Sequence, residues 1–142
     1  MTVCFLCSEY PPALHGGIGS YIQTLGRALV RAGDRVRVTG LYPAHEPAPE
    51  YEVDRGVEVW RFRLPKGRFG WIAARYRLFR QLKRWAEAGE IDLIEVPDWE
   101  GHAALWPRLR VPVVVRLPSM HKRDLRQVLL PPAFLSPAFC IR

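Results

Sequence analysis

The sequence predicts an α/β fold, a Rossmann-like doubly wound parallel sheet with helices on both faces. Apolar or alternating runs typical of strands alternate along the chain with stretches in which apolar residues recur at helical spacing. The first strand, first helix and second strand follow one another with short connections, which indicates a right-handed βαβ unit and parallel pairing. A loop with glycines at three of four positions, 16, 17 and 19, joins the first strand to the first helix.

The first half of the chain begins with a buried strand. Residues 3–7 form a continuous apolar run bounded by polar and proline residues. Apolar side chains then recur at helical spacing over 18–32, and Gly33 fits the left-handed residue that ends such a helix. Residues 35–40 alternate and predict a second strand. Residues 42–55 are rich in proline and acids and have no period, so we expect a loop there.

The second half repeats this alternation. Residues 57–64 alternate cleanly and predict a third strand. A helix is predicted over 69–88, and its apolar spacing predicts the inward side chains Ile72, Tyr76, Phe79, Leu82, and Trp85 or Ala86. Residues 92–96 and 111–117 predict the fourth and fifth strands.

The bulk properties are those of a globular domain. The chain has 142 residues, of which 49% are hydrophobic and 25% charged. We expect residues 1–118 to form one domain and residues 119–142 to be an irregular or weakly helical tail. No apolar run is long enough to cross a bilayer and no signal peptide is recognisable, so we expect a cytoplasmic location.

Cys4 and Cys7 form a C-x-x-C motif that occurs in redox and metal sites. Here the motif lies in a predicted strand, where residues three apart point to opposite faces. Buried, inert cysteines are therefore expected, and no second ligand pair with zinc spacing follows.

Polar residues follow three of the predicted strands at their carboxyl ends, where doubly wound sheets bind ligands. The candidate site residues are His15, Gly16, Gly17 and Gly19 after the first strand, Glu95, Asp98, Trp99 and Glu100 after the fourth, and Arg116 and His121 after the fifth. Backbone N–H groups of a glycine loop at a helix N-terminus favour a phosphate or carboxylate. The acids suit sugar hydroxyls, and the basic side chains supply positive charge. The alternative is a flexible connection without a ligand.

Two common nucleotide-binding motifs fit poorly. The dinucleotide fingerprint is G-x-G-x-x-G on a tight turn directly after the strand, whereas these glycines follow a longer loop with Pro11 and Pro12. No Gly-Lys-Ser or Gly-Lys-Thr follows, which excludes the P-loop.

Several segments together resemble the opening of family-4 glycosyltransferases of the GT-B fold. They are Tyr10-Pro-Pro, Gly16-Gly-Ile-Gly19 and the run from Arg31 to Val38, followed by the segments 92–101 and 111–117. The resemblance covers residues 3–117. Asp34 stands where the family usually has His, and Pro118 stands where a His usually follows the fifth strand; His121 is a candidate to replace it through a loop shift.

The resemblance implies transfer of a hexose from a nucleotide-sugar to a glycan, lipid or small-molecule acceptor, with retention of configuration and with no metal or other cofactor required. It implies that this chain is the single N-terminal, acceptor-side half of the GT-B fold. Gly16, Gly17 and Gly19 would lie near the donor phosphates, while Glu95–Glu100 and Arg116 would line the acceptor side. No residue is assigned a catalytic role.

The donor-binding C-terminal domain of that family, with its Glu-x7-Glu motif, has no counterpart after Leu117. We therefore expect the chain to be incomplete or inactive alone, with a donor domain supplied in cis or in trans. The alternative is a non-catalytic module that binds an anionic ligand or docks a partner through the same edge.

The predicted helix at 69–88 is strongly basic, with Arg75, Arg77, Arg80, Lys83 and Arg84. One interpretation is peripheral contact with the inner membrane face, because a basic helix with aromatic flanks suits an anionic bilayer. The alternative is a solvated face over a core stripe that includes the tryptophans. Nucleic-acid binding ranks last, and we expect none.

Overall fold

The computed structural model describes residues 1–67, 69–98, 101, 103 and 106–116. The strands are β1 (Thr2–Leu6), β2 (Arg35–Tyr42), β3 (Tyr51–Asp54), β4 (Val57–Arg63), β5 (Leu93–Pro97) and β6 (Val113–Arg116). The helices are α1 (Gly17–Arg31) and α2 (Gly70–Glu87). The predicted tail, 119–142, lies outside the described residues.

The described strands form one sheet in the order β3-β4-β2-β1-β5-β6. β1 pairs in parallel with both β2 and β5, so that Val3 lies opposite Val36 on one side and Leu93 on the other. β4 and β6 extend the sheet in the same direction on its two sides. The predicted Rossmann-like α/β class is therefore confirmed, with five of the six described strands parallel.

The segment predicted to be a loop, 42–55, contains the edge strand β3. It pairs antiparallel with β4, Tyr51 opposite Trp60 and Asp54 opposite Val57. The two-residue turn between them has φ of 50° at Arg55 and 91° at Gly56, a combination that suits the twist of a hairpin. Prediction failed here because β3 is short and has Tyr51 and Val53 exposed and Glu52 and Asp54 at its more buried positions, so it lacks the apolar run that marks a central strand.

The two helices cover opposite faces of the sheet. Val3 and Phe5 of β1 pack in the core beneath α1, together with Ile22 of that helix. Cys4 and Leu6 point the other way, into the core beneath α2. This alternation on one strand is what a doubly wound sheet requires, because both faces are buried.

Helix α2 presents a different face to the sheet from the predicted one. Its buried residues are Gly70, Ala74, Leu78, Leu82, Trp85 and Ala86, whereas Ile72 and Tyr76 are 48% and 61% exposed. The helix carries two apolar stripes, and the stripe through Ala74 and Leu78 is the one buried against the sheet. The predicted inward positions Ile72 and Tyr76 are wrong, and Leu82 and the Trp85–Ala86 pair are right.

The chain leaving β1 crosses directly over β2. The N–H of Cys7 donates to the carbonyl of Thr39 at 2.8 Å, and a Cβ added at Gly40 would lie 2.2 Å from the carbonyl oxygen of Cys7. Only glycine fits at this crossing. Gly40 therefore does not end the strand, as the sequence suggested, but lets the glycine-rich loop start from a fixed point above the sheet.

Candidate functional site

The glycine-rich loop ends at the N-terminus of α1, and an acidic side chain occupies part of that terminus. Gly16 is the N-cap residue, and its N–H donates to Oε2 of Glu9 at 2.8 Å. α1 has no acidic residue in its first turn, so the Glu9 carboxylate supplies the negative charge that a helix N-terminus favours. Sequence reasoning did not single out Glu9, because it lies seven residues before the group that it contacts.

The three glycines occupy different surroundings. A Cβ at Gly19 would lie 1.9 Å from the carbonyl oxygen of Glu9, and one at Gly16 would lie 3.2 Å from the Glu9 carboxylate. A Cβ at Gly17 would meet nothing within 4 Å. Gly19 is thus required for the loop to pack on the helix, whereas Gly17 leaves the first turn open to a ligand. His15 is exposed, with Nδ1 2.8 Å from the carbonyl oxygen of Ala13.

Internal hydrogen bonds hold the start of this loop. The Tyr10 hydroxyl donates to Oδ2 of Asp54 at 2.7 Å, and the same carboxylate accepts two bonds from Arg27 of α1 and one from Gln23. Burial alone would raise the pKa of Asp54, but the hydrogen bonds from Arg27, Tyr10 and Gln23 outweigh it and lower that pKa. Burial raises the pKa of the Tyr10 hydroxyl, and its bond to the carboxylate raises it further.

A second set of contacts holds the backbone of the loop. The guanidinium of Arg61 is fully buried and donates to the carbonyl of Pro11 at 2.9 Å and to Glu52 at 2.5 Å. The Tyr42 hydroxyl donates to the carbonyl of Cys7 at 2.7 Å. Buried charges persist only when they are paired in this way. The loop is therefore a shaped element fixed by β2, β3 and β4.

The candidate residues on β5 and β6 meet beneath the start of α1. Nε of Arg116 donates to Oε1 of Glu95 at 2.5 Å, and both side chains are mostly buried. The Arg116 guanidinium carbon also lies 5.1 Å from the centre of the Tyr21 ring on α1, a cation–π distance. These contacts bring the glycine loop and the ends of β5 and β6 to one edge. Asp98 lies beside them, exposed, with its N–H bonded to the carbonyl of Arg116 at 3.2 Å. Trp99, Glu100 and His121 lie outside the described residues.

A cavity of about 340 Å³ opens at the same end of the sheet, on the side of α2. Most of its wall is apolar, formed by Val96, Trp106, Leu109 and Val113 among others, and Asp98 lies at its margin. Apolar walls with a few polar groups are typical of small-molecule sites. Sequence reasoning missed this cavity, because residues 106–111 have no regular pattern.

The C-x-x-C motif has no part in this site. Cys4 faces the core beneath α2 and Cys7 faces the core beneath α1, as predicted for residues three apart in a strand. Both are buried and neither forms a disulfide, and burial raises the pKa of Cys4 to about 12, which keeps it protonated and unreactive at neutral pH. Within the described ranges, no three His, Cys, Asp or Glu side chains cluster to hold a metal ion.

Comparison with known proteins agrees with this geometry. Among solved structures, the chain is similar to a sucrose-phosphate synthase from Thermosynechococcus elongatus, with a TM-score of 0.58 and 14% identity over 94% of this chain. The aligned region is only 36% of that protein, so this chain spans about a third of its length. A second sucrose-phosphate synthase structure from the same organism aligns with 12% identity over 89% of this chain and 67% of the other, at a TM-score of 0.47. At such identities the first similarity shows the fold alone.

Sequence comparison is more specific. No curated protein matches the chain. The family described as "Glycosyl transferase 4-like domain" matches residues 16–139, from the glycine loop past the end of β6. Because that match spans far more than half of the sequence, the chain belongs to the glycosyl transferase 4-like family and is a glycosyltransferase domain with the N-terminal, Rossmann-like architecture of GT-B proteins.

Proposed function

We propose that this chain is the acceptor-side domain of a retaining glycosyltransferase, which transfers a hexose from a nucleotide-sugar to a glycan, lipid or small-molecule acceptor. The observation that carries the proposal is the junction at Arg116. This side chain bonds Glu95 and contacts Tyr21, so it joins the ends of β5 and β6 to the helix that follows the glycine loop, at one edge of a glycosyltransferase domain.

The open first turn of α1 is the proposed contact for the donor phosphates. The N–H of Gly16 is already taken by Glu9, so a phosphate would use the amides that follow, beginning with Gly17, or displace that carboxylate. Aligned amides and the helix dipole favour the additional negative charge that develops on the leaving phosphate as the sugar departs. His15 and Gly19 shape the approach to this turn.

The acceptor would lie on the side of β5 and β6. Asp98 is exposed and offers a carboxylate to accept a sugar hydroxyl, whereas Glu95 is neutralised by Arg116. The mostly apolar cavity beside Asp98 favours an acceptor with an apolar portion, such as a lipid. Trp99, Glu100 and His121 are proposed acceptor-side residues on the strength of their sequence positions.

We propose that transfer requires a second, donor-binding domain in cis or in trans, and no metal. Leaving-group charge is stabilised most when hydrogen-bond donors converge on it from all sides, and one domain surrounds only one side. The proposed setting is the cytoplasm and the inner face of the membrane. The part of the chain that the structure describes contains no helix long and apolar enough to span a bilayer.

Two experiments test the proposal. In the first, the isotope-labelled chain is titrated with a panel of nucleotide-hexoses and observed by two-dimensional NMR. In the second, the chain is assayed for hexose transfer. We expect saturable shifts of the Gly17 amide and the Arg116 side chain, and no transfer by the chain alone. Steady transfer by the purified chain would refute the need for a second domain. An absence of shifts with every nucleotide-hexose would refute the phosphate contact.

A further inference from the structure

One short segment of the protein is strongly basic. Residues 66–86 contain seven of the 21 lysines and arginines and none of the 14 aspartates and glutamates. The rest of the chain carries fourteen cations and fourteen acids, with six acids and no cation over 87–100 and seven cations and one acid over 101–142. Nearly all of this basic segment belongs to α2 and the turn before it.

The same segment exposes large apolar side chains at the start of the helix. Phe69 is 69% exposed, Trp71 55%, Ile72 48% and Tyr76 61%. We call these four residues the α2 patch. Single exposed apolar residues are common on soluble proteins, but a contiguous group beside the end of a helix marks an interaction surface.

Cations surround the α2 patch. At 100° per residue Ile72, Tyr76 and Arg80 share one helix face. The guanidinium carbon of Arg80 lies 5.8 Å from the centre of the Tyr76 ring, and that of Arg75 lies 5.9 Å from the Trp71 ring. Arg77 and Arg80 are exposed, and no carboxylate in the described part of the chain lies within ion-pair distance of either. Lys83 makes a long i, i+4 pair with Glu87, at 3.7 Å.

We infer that the α2 patch and its cations, Arg77 and Arg80 in particular, form a docking surface for an anionic lipid bilayer. Aromatic and aliphatic side chains partition into the headgroup region, while arginine and lysine attract acidic lipids. The sequence left membrane contact and a solvated basic face as alternatives. The exposed position of Trp71 and the outward turn of Ile72 and Tyr76 favour the membrane.

Other occupants fit this surface less well. A polyanion such as RNA would use the cations but gain little from Ile72 and Phe69, and the Trp71 and Tyr76 rings already have a guanidinium on one face. A protein partner would have to place carboxylates opposite Arg77 and Arg80, because burying these cations unpaired is costly.

The docking surface lies at the same end of the sheet as the proposed substrate-binding residues. α2 starts at the carboxyl end of the sheet, and Nη2 of Arg75 donates to the carbonyl of Gly101, just after β5, at 2.5 Å. A docked chain would thus hold the acceptor side of the sheet close to the lipid headgroups. Membrane binding itself does not depend on the proposed sugar transfer, since it is measured without a donor or an acceptor.

Vesicle binding tests the inference. The full chain is titrated with vesicles of phosphatidylglycerol and phosphatidylcholine, and separately with phosphatidylcholine alone, and the bound fraction is measured by sedimentation. We expect binding to the anionic vesicles that high salt weakens, and little binding to the neutral ones. The double variant Arg77→Gln/Arg80→Gln should bind roughly 10- to 30-fold more weakly. Glutamine keeps helix propensity nearly unchanged, so the fold should be retained.

The matched control is Arg31→Gln/Arg55→Gln, which removes the same charge from two exposed positions outside the surface. It should bind like the parent chain. Ile72→Gln, which keeps every cation, should weaken binding about tenfold through lost apolar contact. Equal losses in the two arginine variants, unchanged binding by Ile72→Gln, or tighter binding to homopolymeric RNA than to the vesicles would each overturn the inference.

Discussion

The three glycines of the loop have different roles, although they look equivalent in the sequence. Gly16, Gly17 and Gly19 form one motif, yet Gly19 serves the packing of Glu9 on α1 and only Gly17 stays open. The spacing of the glycines could not show that Gly17 is the open one, because this depends on where Glu9, ten residues before Gly19, packs against the helix. That return is held by Tyr10 and Asp54, which are 44 residues apart.

Alanine substitution separates these roles. Gly19→Ala should destabilise the protein by about 2–3 kcal/mol, since its Cβ would collide with a backbone carbonyl that cannot move independently. Gly17→Ala should leave the free energy of unfolding within about 1 kcal/mol of the parent value, because the added Cβ meets nothing and alanine favours a helix. Urea denaturation measures both. Equal losses in the two variants would show that Gly19 has no special contact.

The carboxylate of Asp54 should make the free energy of unfolding depend on pH in the acid range. Its folded pKa lies below the unfolded value, so its contribution is complete above a pH of about 4 and is lost as the pH falls through the folded pKa. Asp54→Asn should therefore lower the free energy of unfolding by about 1–3 kcal/mol at neutral pH. The difference from the parent should shrink below pH of about 4. Thermal denaturation across that range gives the comparison, and a difference that is constant with pH would contradict the assignment.

At the scale of elements, local patterns identified most of the fold. β1 was predictable as a continuous apolar run, and α1 and β2 were predictable from their apolar periodicity and from Gly33 between them. β3 was not, because an edge strand with one solvated side carries little hydrophobic signal. The rotation of α2 was not predictable either, since its two apolar stripes satisfy the same helical period and only the sheet selects between them.

The face of α2 that packs on the sheet can be tested directly. Leu78 is fully buried in the core beneath the helix, and Leu78→Ala should cost about 2–5 kcal/mol of stability. Ile72→Ala, in the same helix, should cost less than about 1 kcal/mol, because Ile72 is half-exposed. Chemical denaturation of the two variants distinguishes the observed face from the predicted one, which requires the larger loss at Ile72.

At the scale of the whole molecule, stability should fall from the centre of the sheet to its edges. All five residues of β1 are buried, and it is paired on both sides, whereas β3 and β6 border the described sheet and each has two exposed residues. Native-state hydrogen exchange should find the slowest amides in β1 and β2 and much faster ones in β3. Comparable protection in β3 and β1 would mean that the hairpin edge unfolds only with the whole domain.

The concentration of charge in residues 66–86 also governs how copies of the protein behave toward one another. A net charge keeps molecules apart in solution, and the charge of this segment equals the net charge of the whole chain, because the acids and bases of the other residues sum to zero. Any anionic surface or polymer that neutralises this helix removes the mutual repulsion at the same time. The protein should then tolerate crowding on such a surface at densities where, free in solution, like charge would keep its copies separate.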